Sequence, residues 1–142
     1  MPIINGTKIN KSLIPKGTDK QAKTMRRGII ISFLSQFKGM KLFCPCLNKN
    51  VEFNTTSVKE TAVHASNSYE STLLVLDIDK AIILANKPLN SEKQPDTNTQ
   101  LKERYTKMYI LNGVLKGKKY KLVIGERKNK RIFHYCITKK DR

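Results

Sequence analysis

The sequence predicts an α+β domain, in which N-terminal helices pack on one face of a mostly antiparallel, roughly four-stranded sheet built around a C-terminal β-meander. Apolar residues recur at three- and four-residue spacing through much of residues 18–85, then alternate with polar residues from 105 to 137. Helices first and strands later in one small chain is the α+β order. Of the 142 residues, 39% are hydrophobic and 27% charged, which suits one domain with a true core and excludes full disorder.

Residues 1–17 carry Pro2, Gly6, Pro15 and Gly17 and read as an irregular basic arm, with residues 18–142 as a single domain. Thr18-Asp19-Lys20-Gln21 fits a capping box, and Ala22, Met25, Ile29, Phe33 and Phe37 give the following helix its apolar stripe up to Gly39. Leu42-Phe43-Cys44 and Val51-Glu52-Phe53, either side of Asn48-Lys49-Asn50, suggest brief strands or a hairpin. Ser57-Val58-Lys59-Glu60 is a second capping box, placing His64 on a short helix whose buried face is Val58, Thr61, Ala62 and Ala65. The apolar run from Tyr69 to Ala85 reads as one or two helices, with Asp77 capping the second and Pro88 beyond its end. Residues 86–101 form a polar loop. Three strands follow, Tyr105 to Leu115, Tyr120 to Ile124 and Ile132 to Ile137, with turns at Lys116-Gly117-Lys118 and Lys128-Asn129-Lys130.

Charge narrows the function classes. The formal net charge is +17, well beyond the magnitude of about 2–8 that keeps a small domain soluble. Residues 1–43 hold nine basic and one acidic residue, residues 44–101 five and seven, and residues 102–142 fourteen and three. A neutral middle between two basic ends implies a cationic surface assembled from both, as a phosphate backbone requires. An acidic membrane surface is the competing polyanion, but no basic amphipathic helix and no run of about 18 apolar residues is present. The N-terminus lacks the pattern of a secretory signal, so the expected location is cytoplasmic, or reached without a classical signal peptide.

Cys44, Cys46 and Cys136 are an odd number of thiols without paired ligand knuckles, which favours free cysteines over disulfides or zinc. No metal or cofactor is expected. Asp77-Ile78-Asp79 is explained by a helix start.

Strict alternation over the last two strands puts Tyr120, Leu122, Ile124, Phe133, Tyr135 and Ile137 on the core face. Lys119, Lys121 and Val123 then share the open face with His134, Cys136 and Thr138, His134 standing near Val123 and Thr138 near Lys119. His64 and His134 are the only histidines, so imidazole acid–base chemistry must use one or both. Metal-free RNA cleavage needs a base at the 2′-hydroxyl, an acid at the leaving oxygen and cations on the phosphorane, and these residue types are present. The plainer alternatives are a carbonyl-satisfied helix histidine for His64 and an exposed strand residue for His134.

Val51 to Ala65, the Leu-rich stretch ending Ala85-Asn86-Lys87-Pro88, Tyr120-Lys121-Leu122-Val123-Ile124, and Ile132 to Thr138 together resemble the phage-type nucleases of the barnase–EndoU–colicin–RelE (BECR) superfamily. The likeness spans about residues 40–140 and rests on element order and short patterns. It implies a four-stranded antiparallel sheet and metal-independent ribonuclease activity. Position by position, it implies catalytic roles for His64, His134, Tyr135, Thr138 and Lys121. Lys59, Lys118, Lys119, Arg127, Lys128 and Arg131 are the expected nucleic-acid-binding residues. RNA is the expected partner, and a toxin-like nuclease would bring an immunity or antitoxin protein. Two other readings stay open: a non-catalytic nucleic-acid-binding module of mobile-element type, and an adaptor for an acidic protein.

Overall fold

A computed structural model describes residues 11–93 and 105–140. Four helices lie against a six-stranded mixed sheet, α1 (Lys20–Ser35), α2 (Thr55–Ala65), α3 (Tyr69–Leu76) and α4 (Ile78–Leu84). The strands are β1 (Lys41–Cys44), β2 (Lys49–Glu52), β3 (Glu92–Lys93), β4 (Lys107–Leu115), β5 (Lys118–Glu126) and β6 (Ile132–Lys139), in the order β1-β2-β6-β5-β4-β3. The α+β class is as expected. The expected four-stranded antiparallel sheet is corrected on two counts: the β1–β2 hairpin joins it through a parallel β2–β6 pairing, and β3 extends the other edge.

The polar loop expected over residues 86–101 is partly structured. Asn86 and Asn112 exchange backbone hydrogen bonds of 2.7 and 3.0 Å, Ile110 N–H donates to the Ser91 carbonyl at 2.7 Å, and Glu92–Lys93 pairs with β4. An edge strand needs only backbone donors and acceptors, so polar side chains did not prevent it. Residues 94–101 of that loop, like residues 1–10 of the arm, lie outside the described residues.

Helix starts are set by local side chains. Asn54, not Ser57, caps α2: its side chain accepts from Ser57 N–H while the Ser57 hydroxyl accepts from Asn54 N–H, a reciprocal box displaced three residues from the expected one. Ser68 caps α3 through Ser71 N–H. Asp19 and Asp77 occupy the starts of α1 and α4 without a side-chain cap bond, so the Thr18 box is not formed. The stripe of α1 keeps Ala22 but then runs one residue later than expected, through Arg26, Ile30 and Leu34, leaving Met25 half exposed, and Phe37 is buried just beyond the helix end.

The core lies between the helices and the inner face of the sheet, where Leu111, Tyr120, Leu122, Ile124, Ile132 and Ile137 meet Val58, Ala62, Leu74, Val75, Ile78 and Ile82. Lys116 and Gly117 have φ of 51° and 78° in a two-residue turn that suits the right-handed twist of β4 and β5, which glycine adopts without strain.

Candidate nucleic-acid interface

One irregularity in β6 decides which residues share a face. Val123 pairs with Cys136 and Ile124 with His134, so Tyr135 is an extra residue, a β-bulge. Before the bulge, Ile132 and His134 point toward the helices; after it, Ile137 does. The open face therefore carries Phe133, Tyr135, Cys136 and Thr138 of β6 beside Lys119, Lys121 and Val123 of β5. Asn112, Lys121 and Thr138 stand in one row across three strands, and Ile110, Val123 and Cys136 in the next. Thr138 thus lies opposite Lys121 rather than near Lys119.

His134 does not reach this face, which corrects its expected catalytic role. It is fully buried against α2, stacked on Phe53 with ring centroids 5.2 Å apart. The Thr61 hydroxyl donates to the Tyr135 carbonyl at 3.2 Å and lies 2.8 Å from His134 Nε2. Where the single hydroxyl proton goes to the carbonyl, Nε2 is the protonated nitrogen and donates to Thr61; Nδ1 has no partner among the described residues. Burial pushes the imidazole down to about 3, so it is neutral at physiological pH and cannot serve as an acid.

α2 reaches the open face because of a gap in strand pairing. β2 covers β6 only at Ile132 and Phe133, and helix side chains satisfy the edge beyond: Thr61 takes the Tyr135 carbonyl and the Ser71 hydroxyl takes Lys139 N–H at 2.9 Å. Glu60 and His64, one turn apart on α2, lie at that rim with His64 Nε2 3.4 Å from Glu60 Oε2. The His64 side chain is 47% exposed, and its ring centroid is 6.5 Å from that of Tyr135.

Burial and then the Glu60 carboxylate hold the Tyr135 hydroxyl far above the usual tyrosine range, so it is a hydrogen-bond donor and not a base. Cys136, between Lys121 and Glu60, is pushed up to about 12, chiefly by burial. Tyr135 meets Tyr105 edge-on at 6.3 Å, and Tyr105 lies flat over Gly125, where a Cβ would come within 2.6 Å of its ring. Tyr105, Met108 and Phe133 make a small second core on the open face, flanked by Val123 and Tyr135.

The expected phosphate-binding residues divide into separate groups. Lys118 and Lys119 sit at one end of β5, and Arg127, Lys128 and Arg131 around the turn at its other end, about 25 Å away for a strand of this length. Arg127 lies over the Phe133 ring at 4.2 Å. Arg131 is bound to Glu52 through two hydrogen bonds, from Nε at 2.8 Å and from Nη2, which lowers the Glu52 carboxyl and ties the guanidinium to β2. Lys59 is exposed on α2.

Sequence reasoning missed three contributors. Glu60 was detectable from its four-residue spacing to His64, and Asn112 from its parity with Val114 and Ile110 on β4. In the sequence Tyr105 reads only as the start of a strand, and nothing local marks it as the cover of Gly125.

Cys44, Cys46 and Cys136 are free; Cys44 and Cys46 hold their sulfurs 3.7 Å apart in the helix-side core, and Cys136 faces the other way. Among the described residues no group of three or more His, Cys, Asp or Glu could hold a metal ion, and no helix is long and apolar enough to cross a membrane. Comparison with protein-family models, with curated proteins and with solved structures returned no match.

Proposed function

We propose that the chain is an RNA-binding domain whose open sheet face takes the phosphate backbone between its two cationic hairpin ends. The supporting observation is the distribution of charge over the three long strands. β4 and β6 contain no carboxylate, and the one in β5, Glu126, points to the helix side, where it is buried and accepts from Lys49 Nζ at 3.3 Å and Tyr109 Oη at 3.2 Å. Lys119 and Lys121 therefore stand on a face to which these strands bring hydroxyl, amide and aromatic groups but no negative charge. Backbone contacts of this kind supply affinity without sequence selectivity.

Salt dependence tests the proposal. Binding of single-stranded RNA should weaken with salt at a slope of about −0.7 per phosphate contacted, and Lys119→Gln with Lys121→Gln should flatten it by about 1.4. An unchanged slope in that double variant would remove the face from the interface.

A second reading, metal-independent RNA cleavage by a toxin-like endonuclease, is favoured by the Glu60–His64 pair on the rim of the same face. With His134 buried, the pair is His64 with Glu60: the carboxylate takes the 2′-hydroxyl proton, O2′ attacks phosphorus, the P–O5′ bond breaks, and His64 gives a proton to the leaving O5′. Lys121 would offset phosphorane charge, with Tyr135 and Thr138 as hydroxyl donors. Incubation with cellular RNA in excess EDTA, followed by analysis for 2′,3′-cyclic ends, decides it. Cyclic ends lost in His64→Ala support cleavage; intact RNA leaves binding alone.

A further inference from the structure

Arg26 is a cation that pairs with no carboxylate among the described residues. It occupies the stripe of α1 that elsewhere carries Ala22, Ile30 and Leu34, and it is 1% exposed. Its Nε donates to the Ser66 carbonyl at 2.9 Å, and Nη1 to the Pro15 and Gly17 carbonyls at 2.9 and 2.7 Å. Nη2 donates to none of the described residues, and no carboxylate among them pairs with the guanidinium. A buried charge held by neutral carbonyls alone is costly, because their dipoles do not replace a counter-ion.

Arg26 lines a half-open pocket of about 460 Å³ between the arm, the α2–α3 turn and the end of β6. Arg26 grips the carbonyls on either side of Lys16, bending the arm so that Lys16 stands at the cavity, with its Nζ 5.4 Å from the centre of the Tyr69 ring. Thr18 and Asn67 add a hydroxyl and an amide to the wall. Lys139 is there too, facing Glu70 at 4.0 Å. Lys139 is thus offset by Glu70, which also lines the pocket, and the other two cations, Arg26 and Lys16, suit a doubly charged ligand, the planar guanidinium suiting tetrahedral oxyanions. The volume exceeds what one phosphate group fills, leaving room for an organic substituent beside Tyr69.

We propose that this cavity binds a phosphate monoester, its phosphoryl oxygens on Arg26 Nη2 and Lys16 Nζ. The site lies on the helix side of the molecule and is independent of the open-face reading. A monoester of this kind could be a free nucleotide or the phosphorylated end of a nucleic acid, which share this chemistry.

The test is ¹H–¹⁵N NMR titration of the full chain with inorganic phosphate, and with chloride at matched ionic strength. Phosphate should give saturable shifts at the amides of Gly17, Thr18 and Asn67 and at Arg26 Nε–H, and chloride should not. Adenosine 5′-monophosphate and a 5′-phosphorylated tetranucleotide, each compared with its 5′-hydroxyl counterpart, then separate the two sources; saturation by either at those amides upholds the site. Because Arg26 holds three carbonyls, Arg26→Gln is expected to loosen the arm, so Lys16→Gln carries the mutational test, with binding about fivefold weaker. Shifts that track ionic strength alone, that fall on the open face instead, or that Lys16→Gln leaves unaltered would overturn the proposal.

Discussion

Thr61 on α2 and His134 on β6 are joined by a 2.8 Å hydrogen bond in the buried seam between helix and sheet, and the same hydroxyl holds the Tyr135 carbonyl at the bulge. One side chain thus satisfies an imidazole donor and a strand-edge acceptor. Thr61→Val keeps the shape and removes both interactions, leaving two buried polar groups unsatisfied. It should lower the unfolding free energy by about 2–4 kcal/mol, read from denaturant midpoints at unchanged m-value.

The same burial makes stability depend on pH. The His134 imidazole is held at about 3 in the folded state against an ordinary value near 6.5, so below 6.5 the unfolded chain takes up a proton that the folded chain refuses. Its contribution is fully present above about pH 6.5 and is lost as pH falls toward 3, at roughly 1.4 kcal/mol per unit. His134→Gln should flatten the stability profile between pH 6.5 and 5 by about that slope. An equal slope in wild type and variant would place the titrating group elsewhere.

The bulge also explains what was legible in the sequence. Tyr120, Leu122 and Ile124 face the core as alternation predicts, because β5 is regular in parity. On β6 one extra residue reverses the phase, moving His134 inward and Phe133 outward, and no glycine marks the position. Within α1 the stripe departs from the expected one after Ala22 for a related reason. Three consecutive isoleucines, Ile29 to Ile31, hide the phase of the helix, and the residue that would have resolved it is Arg26, a charge at a buried position. The parallel β2–β6 pairing rests on two residue pairs, Val51 with Ile132 and Glu52 with Phe133, far apart in sequence and without a local signal. The spacing of Val58, Thr61, Ala62 and Ala65, by contrast, does put His64 on a short helix, where its side chain is about half exposed.

Gly113 and Tyr120 are direct partners across β4 and β5, and a Cβ on Gly113 would come within 2.2 Å of the tyrosine ring. The ring fills the space glycine leaves, and its hydroxyl donates to the Ala81 carbonyl at 2.6 Å, tying the sheet to α4. Gly113→Ala must displace the ring and strain that bond, at a cost of about 1–3 kcal/mol. Tyr120→Leu vacates the space, so Gly113→Ala should cost less in that background. A double-mutant cycle with zero coupling would show that the ring does not set the cost.

Arg127 and Arg131 both lie over Phe133, at 4.2 and 5.3 Å from its centroid, yet they differ in charge balance. Arg131 is neutralised by Glu52, whereas no carboxylate among the described residues pairs with Arg127. Arg127→Ala should therefore weaken RNA binding more than Arg131→Ala. Glu52→Gln makes the sharper test, because it frees the Arg131 guanidinium without removing a cation. The exposed pair adds little to stability, so the unfolding midpoint should hardly move. RNA affinity should rise, and the salt slope should steepen by about 0.7, one more phosphate contact. If Glu52→Gln leaves both quantities unchanged, the β5–β6 turn does not meet the RNA, and the interface is confined to the Lys119–Lys121 half of the face.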